Sequence, residues 1–171
     1  MNLNNLIRKN IKAMKPYSSA RDEFKDLKAD MVFLDANENP FETTLNRYPD
    51  PQQTALKELI SKQKELPINQ VLLGNGSDEV LDLIVRAFCE PNQDSILTLP
   101  PTYGMYGVLA QLNSIENIEV PLSKDFNINV DQVLKQVKPS TKLLFICSPN
   151  NPSGNIMDVN AVTRLLKAFD G

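Results

Sequence analysis

Histidine and tryptophan are both missing from the 171 residues, and the first absence is the more consequential. Without an imidazole this chain can build no Ser-His or Cys-His pair and no His-ligated metal site. Cysteine is scarce: Cys89 and Cys147 form no CxxC pair, so both read as reduced core thiols rather than nucleophiles, disulfide partners or metal ligands. No apolar run reaches the ~18–20 residues that a membrane span needs. Charge of one sign is not in excess either. Eighteen basic and 21 acidic residues give a net charge of −3, which offers no electrostatic ground for binding nucleic acid or an anionic membrane. Arg8 and Lys9 are not followed by an apolar signal core, so the expected location is the cytoplasm. Hydrophobic residues at 42% and charged ones at 23% argue against disorder. Chemistry in this chain must therefore draw on backbone amides, Tyr, Asn, Lys, carboxylates or a bound cofactor.

Periodicity supplies the elements. Leu3, Leu6, Ile7, Ile11 and Met14 fall at helical spacing and predict one amphipathic helix over Met1 to Met14, stopped by Pro16. A polar stretch from Tyr17 to Asp30 follows, then a short strand over Met31 to Leu34. Asp50-Pro51 reads as an N-cap followed by proline at the first helical position, with Leu56, Leu59 and Ile60 as that helix's buried face. From residue 71 short strands alternate with helices. Strands are expected at Val71–Leu73, Ser95–Leu99, Asn117–Val120 and Lys142–Cys147. Helices are expected at Ser77–Cys89, Thr102–Leu112, Val130–Val137 and Asp158–Phe169, the first with an Asp82/Arg86 pair at i,i+4 and the last with Gly171 at its C-terminal cap. Four strands with intervening helices imply parallel βαβ units and a sheet covered on both faces. The boundary falls near residues 40–50: an arm over 1–45 precedes an α/β body over 46–171. A βαβ series calls for another strand after the last helix.

Three of the strand ends carry loops suited to chemistry. Gly74-Asn75-Gly76-Ser77-Asp78-Glu79 is a tight turn opening a helix, whose first amides and dipole can cradle a phosphate or carboxylate. Asp78 and Glu79 would oppose an anion, so amides and Ser77 must do the binding. A plain capped turn uses the same residues, but a dinucleotide fingerprint would need glycine where Glu79 stands. Pro100-Pro101-Thr102-Tyr103 places Tyr103 just past a strand, where its ring can stack on a flat ligand or merely pack. Ser148-Pro149-Asn150-Asn151-Pro152-Ser153-Gly154 is stiffened by its prolines and presents the Asn151 amide at another strand tip; a turn alone would explain its composition. A fourth segment, Asn46-Arg47-Tyr48-Pro49-Asp50-Pro51, is either a surface turn or a contribution to a neighbouring site.

Taken together, these segments resemble the fold type I pyridoxal-phosphate-dependent aminotransferases, and most closely their class II histidinol-phosphate aminotransferase subfamily. Asn37-Glu38-Asn39-Pro40 and the run Arg86-Ala87-Phe88-Cys89-Glu90-Pro91 through Pro101-Thr102-Tyr103-Gly104-Met105-Tyr106 carry the likeness along with the loops above. It extends from about Pro16 onward. The fold it implies is α/β, a three-layer αβα large domain, incomplete, with an N-terminal helical arm. It implies that Gly76, Ser77 and Asp78 hold the phosphate of pyridoxal 5'-phosphate, that Tyr103 stacks on the pyridine ring, and that Asn151 bonds the ring's phenolic oxygen. By the same resemblance Tyr48 reaches a partner's cofactor phosphate across a homodimer, while Tyr17 and Asn37 help cover the substrate. The implied reaction moves an amino group between L-histidinol phosphate and 2-oxoglutarate, with glutamate as counterpart, in histidine biosynthesis; no metal, nucleic acid or membrane takes part.

The family's Schiff-base lysine lies past Gly171, and neither Lys142 nor Lys167 stands in its motif, so no catalytic residue is expected within this chain. The sequence is expected to be the N-terminal part of an enzyme, and by itself to aggregate or to bind a partner without transaminase activity. Two alternatives are a related enzyme acting on another phosphorylated or aromatic amino compound, and a non-catalytic module that binds a phosphorylated ligand.

Overall fold

The computed structural model describes residues 3–18, 32 and 34–171. Among these, ten helices and strands stand in the order α1 (Leu3–Leu6), α2 (Lys9–Ala13), α3 (Thr54–Lys64), α4 (Ser77–Phe88), β1 (Ser95–Thr98), α5 (Met105–Leu112), β2 (Glu116–Glu119), α6 (Val130–Gln136), β3 (Thr141–Leu144) and α7 (Val159–Ala168), with a 3₁₀ turn at Ile68–Gln70. The described residues form two compact units, one of residues 1–13 with 74–171 and one of residues 14–73.

The first unit is built on a parallel sheet of order β2-β1-β3. Leu97 lies opposite Ile118 on one side and Leu144 on the other. All four residues of β1 are buried, as a central parallel strand requires. Alternation along it feeds two cores. Leu97 joins Ile118, Val120, Val130, Val133, Ala161 and Leu165 under α6 and α7. Ile96 joins Val85, Cys89, Ala110 and Ile115 under α4 and α5. The result is helices on both faces of a parallel sheet, the expected αβα layering. Val120 and Thr141 extend the same pattern at the sheet margins, both buried.

Several expectations need correction. Val71–Leu73 forms no strand: the Val71 N–H turns back to the Ile68 carbonyl (3.2 Å), closing the 3₁₀ turn, and no described strand pairs with it. A three-residue extended segment without a ladder cannot satisfy its backbone as a strand. The N-terminal helix is two helices, because Arg8 leaves the ladder. Its N–H donates to the Ala87 carbonyl (3.0 Å), and its guanidinium holds both Glu90 oxygens (3.0 and 3.1 Å) and the Arg86 carbonyl (2.9 Å). Helix α3 starts at Thr54 rather than at Pro51. Asp50 serves the Gln52 and Thr54 amides (2.8 Å each) while Gln53 takes a left-handed conformation, φ 52°. Leu56 and Leu59 on that helix are exposed, and it contains no buried residue. Helix α5 begins at Met105, leaving Thr102 to Gly104 irregular, and α7 is capped by Phe169, not Gly171. The Tyr17–Asp30 stretch and the 31–34 strand lie largely outside the described residues. Cys89 is a buried free thiol, whereas Cys147 is only half-buried.

The Asp82–Arg86 pair forms as expected (2.8 Å). The Arg8 clasp has a measurable consequence. Arg8 holds the Glu90 carboxyl below its ordinary value of 4.5, so the tie is intact at neutral pH and is lost as acid protonates Glu90. Arg8→Ala is expected to speed amide exchange over residues 3–13 about tenfold at neutral pH, with little further change below the Glu90 titration, while β1 stays protected. Hydrogen exchange read by mass spectrometry checks both halves of this.

Candidate cofactor site

Helix α4 opens at Ser77 behind Gly76, whose backbone sits at φ 80°, ψ 172°, a conformation open almost only to glycine. Nothing lies within 4 Å of where a Cβ on Gly76 would stand, and no side chain caps the helix. Its first amides have no side-chain cap, and the positive end of the helix dipole lies at them. That is an anion cradle in geometry. The two carboxylates that would repel an anion are engaged locally. Asp78 accepts the Tyr103 hydroxyl at 3.0 Å, and Glu79 folds back to accept the Asn75 amide.

Tyr103 arrives from the loop after β1. Its ring stands edge-on to Tyr106, centroids 5.7 Å apart at 87°, and Tyr106 stacks on Phe145 of the β3 extension at 4.7 Å and 11°. The three rings form a continuous aromatic buttress behind Tyr103, fixing its position relative to the sheet. Donation to Asp78 raises the Tyr103 phenol above its ordinary range, with desolvation adding to the effect, so it remains a protonated donor at physiological pH. Burial, then the Cys147 thiol, pushes the Tyr106 phenol to about 12.

The third loop follows β3. Asn151 is exposed, and its neighbour Asn150 is buried, accepting the Thr102 hydroxyl at 3.0 Å and donating to the Pro101 carbonyl at 2.9 Å. Since β1 and β3 are parallel, both loops leave the carboxyl edge of the sheet, and the Tyr103–Asp78 bond brings the start of α4 to that edge. Gly76, Ser77, Asp78, Tyr103 and the Asn150-Asn151 step are thereby tied through two side-chain contacts. A flat, anionic ligand fits this set: uncapped amides for the anion, an open space above Gly76, a phenol and a neutral amide for the ring.

Tyr17, Asn37 and Tyr48 belong to the other unit, where all three are exposed. There Glu38 shapes the turn that Asn37 opens. Its carboxylate accepts the Tyr48 amide at 2.7 Å and pairs with Arg47 at 2.9 Å, while the Asn46 amide reaches the Asn39 carbonyl at 3.5 Å. Glu38 and Asn150 were not legible as site-building residues. For Asn150 the available signal was an amide residue directly after a proline; for Glu38, between two asparagines, there was none.

Glu79→Gln gives a direct check on the cradle. Glutamine keeps an acceptor for the Asn75 amide and removes a like charge from the anion's neighbourhood. Inorganic phosphate is expected to bind several-fold more tightly to this variant in isothermal titration, an advantage that shrinks in high salt.

A family model of aminotransferase class I and II matches residues 22–170. The chain belongs to this aminotransferase family. It is 62% identical over 170 residues to the histidinol-phosphate aminotransferase of Flavobacterium psychrophilum and 56% identical to that of Flavobacterium johnsoniae, in each case covering 99% of this chain and 49% of the relative. The chain thus spans about half the length of the curated relatives it matches. Among solved structures, N-succinyldiaminopimelate aminotransferase from Mycobacterium tuberculosis matches 72% of this chain and 36% of its own, with TM-score 0.65 and 26% identity. Histidinol-phosphate aminotransferase from Sinorhizobium meliloti, solved with pyridoxal-5'-phosphate, matches 72% of this chain and 33% of its own, with TM-score 0.65 and 22% identity, a likeness of fold. The chain is therefore mixed α/β, with a small parallel sheet that corresponds to part of a large domain. Among the described residues no helix is long and apolar enough to cross a membrane.

Proposed function

We propose that this chain forms the cofactor-binding part of a histidinol-phosphate aminotransferase, which moves an amino group between L-histidinol phosphate and 2-oxoglutarate in histidine biosynthesis. The observation that carries the reading is the hydrogen bond from Tyr103 to Asp78, which joins a buttressed phenol to the mouth of an uncapped helix. Identity of 62% to a histidinol-phosphate aminotransferase supports the substrate. Bound here, pyridoxal 5'-phosphate would supply an electrophilic carbonyl carbon and an electron-withdrawing ring.

The chain's own residues bind and orient. Amides opening α4, with the Ser77 hydroxyl, hold the phosphate; Gly76 lets it approach the backbone. Tyr103 covers a ring face and keeps its proton, so it acts as a hydrogen-bond donor and not as a base. Asn151 donates to the ring's phenolic oxygen and fixes which way the ring faces. In a cytoplasmic homodimer Tyr48 reaches the partner's phosphate, and Tyr17 and Asn37 lie over the substrate. In this reading residues 1–45 are an arm and residues 46–171 the first part of the large domain, although residues 1–13 pack with the α/β unit and residues 46–73 fall in the other one. None of the three loops contains a lysine, and a deprotonated, positioned amine is needed for covalent attachment and proton transfer. The chain alone therefore transfers no amino group.

The experiment is complementation. The chain is co-expressed with the C-terminal half of the Flavobacterium psychrophilum relative and assayed for glutamate formed from 2-oxoglutarate. Transfer from L-histidinol phosphate by the pair, with none from the chain alone, supports the reading. Preference for another amino donor, or turnover by the chain alone, contradicts it.

A further inference from the structure

Asn150 has every polar group satisfied and is only 3% exposed, while Asn151 beside it is exposed. Its Oδ1 accepts the Thr102 hydroxyl (3.0 Å), and its Nδ2 donates to the Pro101 carbonyl (2.9 Å) and to Ser153 Oγ (2.6 Å). Its main chain is used as well: N–H to the Asn155 carbonyl (2.8 Å), and carbonyl accepting from the Gly154 N–H (2.7 Å). Two of these bonds grip the post-β1 loop one and two residues ahead of Tyr103. The other three close the post-β3 loop around Asn151. One buried amide therefore sets the spacing between the two loops that carry the ring-facing residues.

We infer that Asn150 is a positioning residue, which locks Tyr103 and Asn151 into one rigid jaw so that a planar phosphorylated ligand meets both at once. This rests on the proposed ligand site. The phosphate cradle at Gly76–Asp78 shares none of the Asn150 bonds and meets the jaw only where Asp78 accepts the Tyr103 hydroxyl, so the amides that would hold an anion and the side chains that would face a ring are different groups. The chemistry at 150 is restrictive. Aspartate would still accept from Thr102, but it would turn a second carboxylate oxygen towards the Pro101 carbonyl, an acceptor that then loses its donor, and it would no longer donate to Ser153 Oγ, whose own proton is already given to Asn155.

The test compares wild type, Asn150→Asp and Thr102→Val in the 171-residue chain, titrated with pyridoxal 5'-phosphate and separately with inorganic phosphate. A ligand-free NMR readout follows the Tyr103 ring and the Asn151 side-chain amide. In Asn150→Asp, affinity for pyridoxal 5'-phosphate is expected to fall about tenfold or more and inorganic phosphate to stay within about twofold. Both NMR signals should move together. Thr102→Val removes one bond and should show the same pattern at about two- to fivefold. A parallel loss for both ligands would make Asn150 merely structural and overturn the inference, as would NMR signals that stay fixed or move one without the other. If wild type binds both ligands equally, the proposed ligand reading fails instead, and the ligand-free signals alone then decide whether Asn150 couples the loops.

Discussion

Gly76→Ala is expected to destabilise the chain by about 1–3 kcal/mol and to weaken phosphate binding by an order of magnitude or more. Open space around the missing Cβ rules out a steric clash as the origin. The cost is conformational: at φ 80°, ψ 172° an L-residue is strained, and relaxing it swings the Ser77 and Asp78 amides away from a shared focus. A D-alanine introduced by semisynthesis at the same position tolerates that backbone and should restore both stability and binding. Chemical denaturation and phosphate titration of the three proteins separate backbone from packing. Equal behaviour of the L- and D-alanine forms would remove the backbone account.

The second large effect concerns association. Strand β3 continues into an uninterrupted apolar run, Leu143 to Ile146, typical of a strand buried on both faces, yet all four residues are only half-buried. Among the described residues the sheet order gives β3 one strand neighbour. An apolar cavity of about 390 Å³ lined by Leu143, Ile146, Leu165, Leu166 and Phe169 lies beside it. Such an edge templates strand pairing. The isolated 171-residue chain is therefore expected to sediment well above its 19.2 kDa, increasingly so with concentration. The Phe145 N–H donates to Leu97, so alternation turns the Leu144 N–H to the outer edge. Leu144→Pro removes that donor and should shift the population toward monomer while β1 and β2 stay paired. Monodisperse 19.2 kDa wild-type protein at all concentrations would contradict this.

How much was legible depends on where the determining interactions lie. The three-layer architecture follows from local pattern: SILT buried on both faces, and amphipathic helices at Ser77–Phe88 and Val159–Ala168. The three loops were legible because glycine, proline and asparagine restrict the backbone within a few residues. Partnerships over long sequence distances were not. Arg8 and Glu90 are 82 positions apart, and nothing near Arg8 announces that it interrupts its own helix. Asn150 reads in sequence as the twin of Asn151; only the contact with Thr102, 48 positions away, shows that one is buried and the other presented. Val71–Leu73 fails for the converse reason, since an extended stretch becomes a strand only where a neighbour exists to pair with it. Roles of Tyr17, Asn37 and Tyr48 depend on contacts beyond their own unit and rest on the family resemblance.

The central claim is that the first amides of α4 hold the phosphate of a pyridoxal-type ligand. Heteronuclear NMR of the labelled chain, titrated in parallel with pyridoxal 5'-phosphate and with unphosphorylated pyridoxal, tests it most directly. The expected result is saturable shifts of the Ser77 and Asp78 amides and the Asn151 side-chain amide with the phosphorylated compound, and no comparable response at Ser77 and Asp78 with pyridoxal. Equal responses to both, or shifts confined to residues away from these loops, would contradict the account.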